Sequence, residues 1–356
     1  MMQAVLLEEF GEPLNVTNVE RPTVNPDGVV VEVECCGVCR SDWHTWQGDW
    51  DWLDSRPTLP HVLGHEPCGT VVETGDEVTS RSVGDDVVIP FNLACGECLA
   101  CRNGYENRCE NRIDLGFSDE APGAFAEEVH VPRADINTTL LPDVISATAA
   151  ASIGCRFMTA YRAMAHRAGL GQGETVVVHG LGGVGLSTVQ IAQALGCQVI
   201  GVDLTNEKLD RAEDIGADIT VNAADVDDPA AEVRAITNGG ADVAVDALGI
   251  SETCRNALSS LDTGGRHIQI GLTSNAEGGT VPLPVDQIVT GELELYGSYG
   301  LQPSKYSELL DLVTTGKLDP GALVSDTIDI HDIPGTMEAM TEYNTIGIPV
   351  CTEFSE

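Results

Sequence analysis

Four cysteines, Cys95, Cys98, Cys101 and Cys109, follow the pattern C-x2-C-x2-C-x7-C. Four thiolates this close suit tetrahedral zinc with no open position, a closed site that fixes a loop with little core of its own. An iron–sulfur cluster uses overlapping spacings and stands as the alternative. Disulfides fit poorly, because a reducing compartment keeps thiols free. A nucleic-acid zinc ribbon is disfavoured: Arg102, Arg108 and Arg112 are balanced by Glu97, Glu106 and Glu110. A second constellation reads Gly180-Leu181-Gly182-Gly183-Val184-Gly185, or G-x-G-x-x-G, with Asp203 eighteen residues after the last glycine. Such glycines allow a tight turn and bring backbone close to a pyrophosphate, while the following helix N-terminus offers free N–H groups. A carboxylate at Asp203 suits ribose hydroxyls and repels a 2′-phosphate, so NAD is expected over NADP, which stays possible. Three further segments combine metal-ligating types: Gly37 to His44, Gly64-His65-Glu66, and Gly154 to Thr159. Each residue there is ambiguous alone, since a lone Cys is most often a small buried hydrophobe.

The elements around the glycine loop have the required order. Thr175 to His179 is a β-branched run, and Val184 to Leu195 has helical spacing. Gln198 to Asp203 reads as a strand, and Asn206 to Ile215 as a helix capped by Thr205 or Asn206. Ala241 to Asp246 and Arg266 to Ile270 are further strands around a helix from about Ser251 to Ser260. This alternation predicts a doubly wound parallel sheet of Rossmann type, an α/β fold. Regular alternation fades after about Gly291. Before Ala151 the texture differs: it is rich in Pro, Gly and short strands, among them Val29 to Glu34, Val71–Val72 and Val87–Ile89.

A chain of 356 residues suits two domains. It carries 56 acidic and 18 basic residues, a net charge of −38, and only three lysines, Lys208, Lys305 and Lys317. Such a surface repels nucleic acid and anionic membranes, so neither is expected as a partner. The acids are spread between well-formed apolar segments, which predicts a folded, halophilic protein stabilised by salt screening. No apolar run is long enough to span a bilayer, and the first ten residues do not read as a secretory signal, so a cytoplasmic location is expected. Trp43, Trp46, Trp50 and Trp52 fall together, as a substrate wall or as packing. The six other cysteines, Cys35, Cys36, Cys68, Cys197, Cys254 and Cys351, read as core.

The stretch Gly64-His65-Glu66-Pro67-Cys68-Gly69, followed by Gly75 and Val78, matches the zinc alcohol dehydrogenase signature. With the four-cysteine spacing and the glycine loop, the chain resembles the medium-chain zinc-dependent alcohol dehydrogenase family over essentially its whole length. The resemblance implies a chaperonin-10-like β-barrel catalytic domain at 1–155 and 293–356, and a Rossmann dinucleotide-binding domain at 156–292. The active site is then expected in the cleft, at the C-terminal ends of the parallel strands.

Residue by residue, the resemblance implies that Cys39, His65 and Cys155 hold a catalytic zinc, with Glu66 beside it or transiently on it. With the Cys95 cluster that makes two zinc ions per chain. Three protein ligands leave a position for substrate, and zinc acts there as a Lewis acid that lets an alkoxide form near neutral pH. Asp42 resembles the carboxylate that orients His65. Ser41 and His44 resemble a proton relay through the cofactor ribose to solvent, although Ser41 could simply cap a helix. Arg40 resembles the pyrophosphate partner. Thr159 and Val184 would pack behind the nicotinamide, Lys208 would reach the adenosine ribose, and Ile270, Gly271 and Leu272 complete the cofactor contacts. The implied activity is hydride transfer between a simple primary or secondary alcohol and NAD, giving an aldehyde or ketone, in a homo-oligomer, tetramer or dimer. Polyol or threonine dehydrogenase is the alternative within the superfamily, and a non-catalytic zinc- and nucleotide-binding regulator the alternative outside it. Two departures stand out. Where many relatives carry Gly-Arg, this chain has Gly347-Ile348-Pro349, which removes a pyrophosphate contact. The third ligand is Cys155 where polyol enzymes often place Glu, which favours a simple alcohol.

Overall fold

The computed structural model describes residues 1–53, 56–342 and 345–355. They form two compact units, Met1–Met158 with Gly300–Glu356, and Thr159–Tyr299. Along the chain the first unit contributes β1 (Val29–Gly37), α1 (Arg40–Trp46), β2 (Glu66–Thr74), β3 (Asp86–Val88), β4 (Glu128–Val131), β5 (Thr139–Leu140) and α2 (Ala147–Ser152). The second contributes β6 (Thr175–His179), α3 (Gly183–Ala194), β7 (Gln198–Asp203), α4 (Asn206–Asp214), β8 (Ile219–Asn222), α5 (Pro229–Thr237), β9 (Ala241–Asp246), α6 (Ser251–Ser259), β10 (Leu261–Gln269) and β11 (Glu294–Gly297). The chain returns to the first unit as β12 (Val324–Asp329), α7 (Ile333–Thr341) and β13 (Ile348–Glu353).

In the first unit the sheet order is β5-β3-β2-β1-β13-β12, with β4 also on β1. β1 is buried along most of its length because neighbours flank it on both sides; only Glu32 and Glu34 reach solvent. Val31, Val71, Val87, Phe125 and Val129 fill the core beneath, joined by Met337 from α7. The antiparallel register sets the site. Gly37 stands opposite Glu66, so Cys39, two residues past β1, is delivered beside His65, one residue before β2. Ser146 caps α2 by accepting the Ala149 N–H at 3.3 Å. α2 packs on β1 and β2 and runs into a π-helical turn, Ile153–Phe157, that carries Cys155. Such turns widen a helix by one residue and re-aim a side chain.

In the second unit the parallel sheet has the order β8-β7-β6-β9-β10-β11. Its order reverses at β6, which places the loop after β6 at a topological switch point, where dinucleotides bind in open α/β sheets. Val177, Ile200, Val202 and Ala244 meet Val233 and Leu261 in the core. The sheet includes β11, which lies beyond the boundary expected at 292. It also includes β8, followed by the helix α5, neither of which was assigned from the sequence.

Candidate active site

Cys39 occupies the N-cap position of α1, with Arg40 as the first helical residue. The helix therefore begins before Ser41, so Ser41 is not its cap. Asp42, fully buried, accepts the Cys39 N–H at 3.1 Å, the Gly64 N–H at 3.0 Å and His65 Nδ1 at 2.8 Å. One carboxylate thus ties the helix start to the loop before β2. Because an ionised carboxylate only accepts, His65 donates from Nδ1, which leaves Nε2 as the atom that would face a metal, giving up any proton there on binding. That Nε2 is buried and has no hydrogen-bond partner among the described residues. One donor atom each from Cys39, His65, Glu66 and Cys155 lie within 4.8 Å of one another. An unsatisfied imidazole nitrogen facing two thiols is a donor set that fits zinc. The rings of Phe117, at 4.6 Å, and Phe91, at 5.9 Å, enclose His65.

Charge in this pocket is strongly coupled. A hydrogen bond from Cys155 holds the Cys39 thiol well below its ordinary pKa, against burial, and the Arg156 guanidinium adds to it. The same bond, with burial, pushes Cys155 well above. Burial opposes protonation of His65, but Asp42, with a smaller contribution from Cys39, outweighs it and raises the imidazole pKa well above its usual range. Glu66 gives both carboxylate oxygens to Arg156.

His44 Nδ1 meets Asp49 Oδ2 at 2.5 Å, and its ring stacks on Trp50 at 4.9 Å. Asp49 is buried, so its carboxylate fixes the His44 tautomer and leaves Nε2 free to accept. Of the other tryptophans, Trp46 is core, its Nε1 donating to Glu12 O at 2.6 Å, and Trp43 lies under the Arg40 guanidinium at 4.0 Å. Trp52 is exposed. Arg40 also donates to the Met340 carbonyl.

The cysteine cluster is brought together. Cys98 Sγ lies 3.4 Å from Cys101 Sγ and 3.9 Å from Cys109 Sγ, and Cys95 Sγ 4.0 Å from Cys101 Sγ. Zinc–sulfur bonds of about 2.3 Å place tetrahedral sulfurs about 3.8 Å apart, so the cage fits that ion. All twelve cysteines are free.

In the second unit Gly180 has φ +90°, a left-handed conformation that favours glycine. Gly182 is the N-cap of α3 and faces open space. A Cβ on Gly185 would stand 1.9 Å from the Gly180 carbonyl oxygen. Gly183 and Val184 open the helix. Asp203 ends β7, accepts the Leu181 and Leu204 N–H groups at 2.7 Å each, and lies 3.8 Å from Lys208 Nζ. The open helix end beside this carboxylate fits a dinucleotide. Ile270 and Gly271 donate to the Asp246 carbonyl, and Leu272 is partly exposed next to Gly249. Thr159 is buried. Gly347-Ile348-Pro349 leads into β13, with Ile348 and Pro349 buried. Sequence reasoning had not assigned Asp49, Phe91, Phe117 or Arg156; only the position of Arg156 beside Cys155 signalled a role.

A thiol–imidazole metal pocket on one unit and a glycine-loop parallel sheet in the other define a metal-dependent, dinucleotide-binding dehydrogenase class. The comparisons make this specific. Residues 25–143 match the alcohol dehydrogenase GroES-like domain, and residues 183–315 the zinc-binding dehydrogenase domain. An alcohol dehydrogenase of Geobacillus stearothermophilus is 35% identical over 95% of each chain. An NAD-dependent alcohol dehydrogenase of Sulfurisphaera tokodaii is 33% identical over 97% of this chain and 98% of that one. The solved alcohol dehydrogenase TADH of Thermus sp. ATN1 superimposes with a TM-score of 0.89 at 30% identity, covering 99% of this chain and all of its own. The chain belongs to the zinc-dependent medium-chain alcohol dehydrogenase family.

Proposed function

We propose that this chain is a zinc-dependent alcohol dehydrogenase that passes hydride between a simple primary or secondary alcohol and NAD, giving the aldehyde or ketone. The observation that carries this is the convergence of Cys39, His65 and Cys155, with His65 Nε2 unsatisfied and its tautomer fixed by Asp42. Those three residues would hold zinc, and Glu66 stands beside it. A zinc ion there supplies Lewis-acid polarisation that eases loss of the alcohol proton. Ser41 takes that proton at its hydroxyl, and His44 accepts it at Nε2 and releases it to solvent, with Asp49 holding the imidazole in register. Cys95, Cys98, Cys101 and Cys109 hold a second, structural zinc. The glycine loop, Val184, Thr159 and Ile270 to Leu272 receive the cofactor, Arg40 neutralises its pyrophosphate, and Asp203 with Lys208 selects NAD through the ribose hydroxyls.

The free thiols of both clusters suit a reducing, cytoplasmic setting. No helix among the described residues is long and apolar enough to cross a membrane. A homo-oligomer, tetramer or dimer, is supported by the end strand β11 of the parallel sheet and by exposed Leu283, Val285, Val289 and Leu295 near it. The net charge of −38 supports halophily.

The test is the rate of NAD and NADP reduction with ethanol, a secondary alcohol, benzyl alcohol, sorbitol and threonine, in molar KCl, before and after a strong chelator. We expect chelator-sensitive turnover of the simple alcohols with NAD. Turnover of sorbitol or threonine alone would overturn the substrate class, and turnover indifferent to the chelator would overturn the metal role.

A further inference from the structure

Arg156 places three donors on one carboxylate. Its backbone N–H reaches Glu66 Oε1 at 3.2 Å, its Nε reaches the same oxygen at 3.1 Å, and its Nη2 pairs with Oε2. Both side chains are buried. Removing a pair of charges from water is costly, and its replacement by apolar residues is often neutral or better for stability. Stability alone is therefore a weak reason for this pair.

Its place in the chain gives a better one. Glu66 follows His65, and Arg156 follows Cys155. The pair therefore bolts the start of β2, next to one ligand, to the π-helical turn that carries another. The backbone makes room for it at two glycines. A Cβ on Gly37 would stand 2.3 Å from Glu66 Oε2 and 3.0 Å from Arg156 Nη2, and one on Gly154 would stand 2.7 Å from Glu66 Cα. A Glu66 oxygen also lies within 4.8 Å of the Cys39, His65 and Cys155 donors. Left without Arg156, that carboxylate is close enough to become a fourth ligand. A fourth protein ligand would close the position that a catalytic zinc keeps for substrate.

We propose that Arg156 is a positioning residue of the catalytic metal site. It occupies the Glu66 carboxylate, keeps it off the metal, and so holds the fourth coordination position open for the alcohol. This rests on the reading of Cys39, His65 and Cys155 as the metal ligands.

The test uses the full-length protein with cobalt(II) in place of zinc, whose visible absorption reports coordination without turnover. The variants are Arg156→Gln, Arg156→Lys and the double variant Glu66→Gln with Arg156→Gln. In Arg156→Gln we expect an altered cobalt spectrum, a change of roughly 10–100-fold in metal affinity by chelator competition, and a raised alcohol KM with NAD affinity unchanged. The double variant, with no carboxylate to capture, is expected to recover the wild-type spectrum. Should Arg156→Gln fail to fold, Arg156→Lys keeps the charge but cannot bridge both oxygens, and the same spectral change is expected. A wild-type spectrum in every folded single variant would overturn the proposal, as would a double variant that stays altered. Cys39→Ala separates the two readings: if it leaves cobalt stoichiometry unchanged, the ligand assignment fails first.

Discussion

At the scale of single residues, the carboxylate of Asp203 has two tasks that pull apart on mutation. It accepts the Leu181 N–H of the glycine loop, and in the proposed function it also binds the ribose hydroxyls. Asp203→Gly removes a charge that repels a 2′-phosphate and also loosens the loop. We expect the ratio of NADP to NAD specificity to rise roughly tenfold, about 1.4 kcal/mol, while the KM for both cofactors rises. Steady-state kinetics with each cofactor check this; an unchanged ratio would remove Asp203 from the ribose site. The ligand candidates were legible because the covalent spacing of the cysteines and the signature around His65 carry them. Arg156 and Asp49 were not legible as functional, because a buried charge is defined by its partner. The partner of Arg156 is a carboxylate ninety residues away, brought near by the register of β2 and the π-helical turn. The tryptophans divide for the same reason: Trp46 faces the core and Trp50 stacks on His44, a difference set by the tertiary fold rather than by residue type.

At the scale of elements, the β6–α3 junction separates binding from folding. Gly182 has no atom within 4 Å of a Cβ, whereas a Cβ on Gly185 meets backbone at 1.9 Å. Gly182→Ala is therefore expected to leave the unfolding midpoint unchanged and to weaken NAD binding, since the methyl would occupy space beside the helix N-terminus. Gly185→Ala is expected to cost roughly 1–3 kcal/mol or more of stability by overpacking and to weaken NAD as well. Denaturant titration and direct NAD binding on both variants check this; equal effects on stability would contradict the geometry. β6, β7 and β9 were read from sequence to the residue, since each is a Val-rich apolar run ending in a polar or acidic residue. Apart from buried Val221, the residues of β8 and β11 are half-buried or exposed, so their apolar pattern is too weak to stand out. β10 begins earlier than its apolar run, because polar Asp262 and Thr263 continue the strand across an irregular register.

At the scale of the whole molecule, two electrostatic effects act on stability and can be told apart. A net charge of −38 repels itself across the surface, and the screening length falls from about 10 Å at 0.1 M salt to about 3 Å at 1 M. The melting temperature is therefore expected to rise between 0.1 and 2 M KCl, and a flat response would contradict halophily. The second effect is buried histidine. Burial, helped by the charge of His267, pushes His179 down to about 3, and burial also lowers His61, His130 and His267. A histidine with a depressed folded pKa binds its proton first in the unfolded chain. Its stabilising contribution is complete above the unfolded value of about 6.5 and declines as pH falls toward the folded value. For His179 the loss between pH 6.5 and 5.5 is about 1 kcal/mol. Most carboxylates stay ionised in that window, so acid relief of the surface repulsion does not mask it. Denaturant unfolding in 2 M KCl at the two pH values should show the wild type losing about 1 kcal/mol more stability with acid than His179→Gln, which keeps a side-chain amide near Ser260; comparison with the variant cancels the opposite contributions of His65 and Glu66, whose pKa values are raised. A slope identical in the variant would mean that His179 titrates in the folded protein and that its burial beside Ser260 is not maintained in solution.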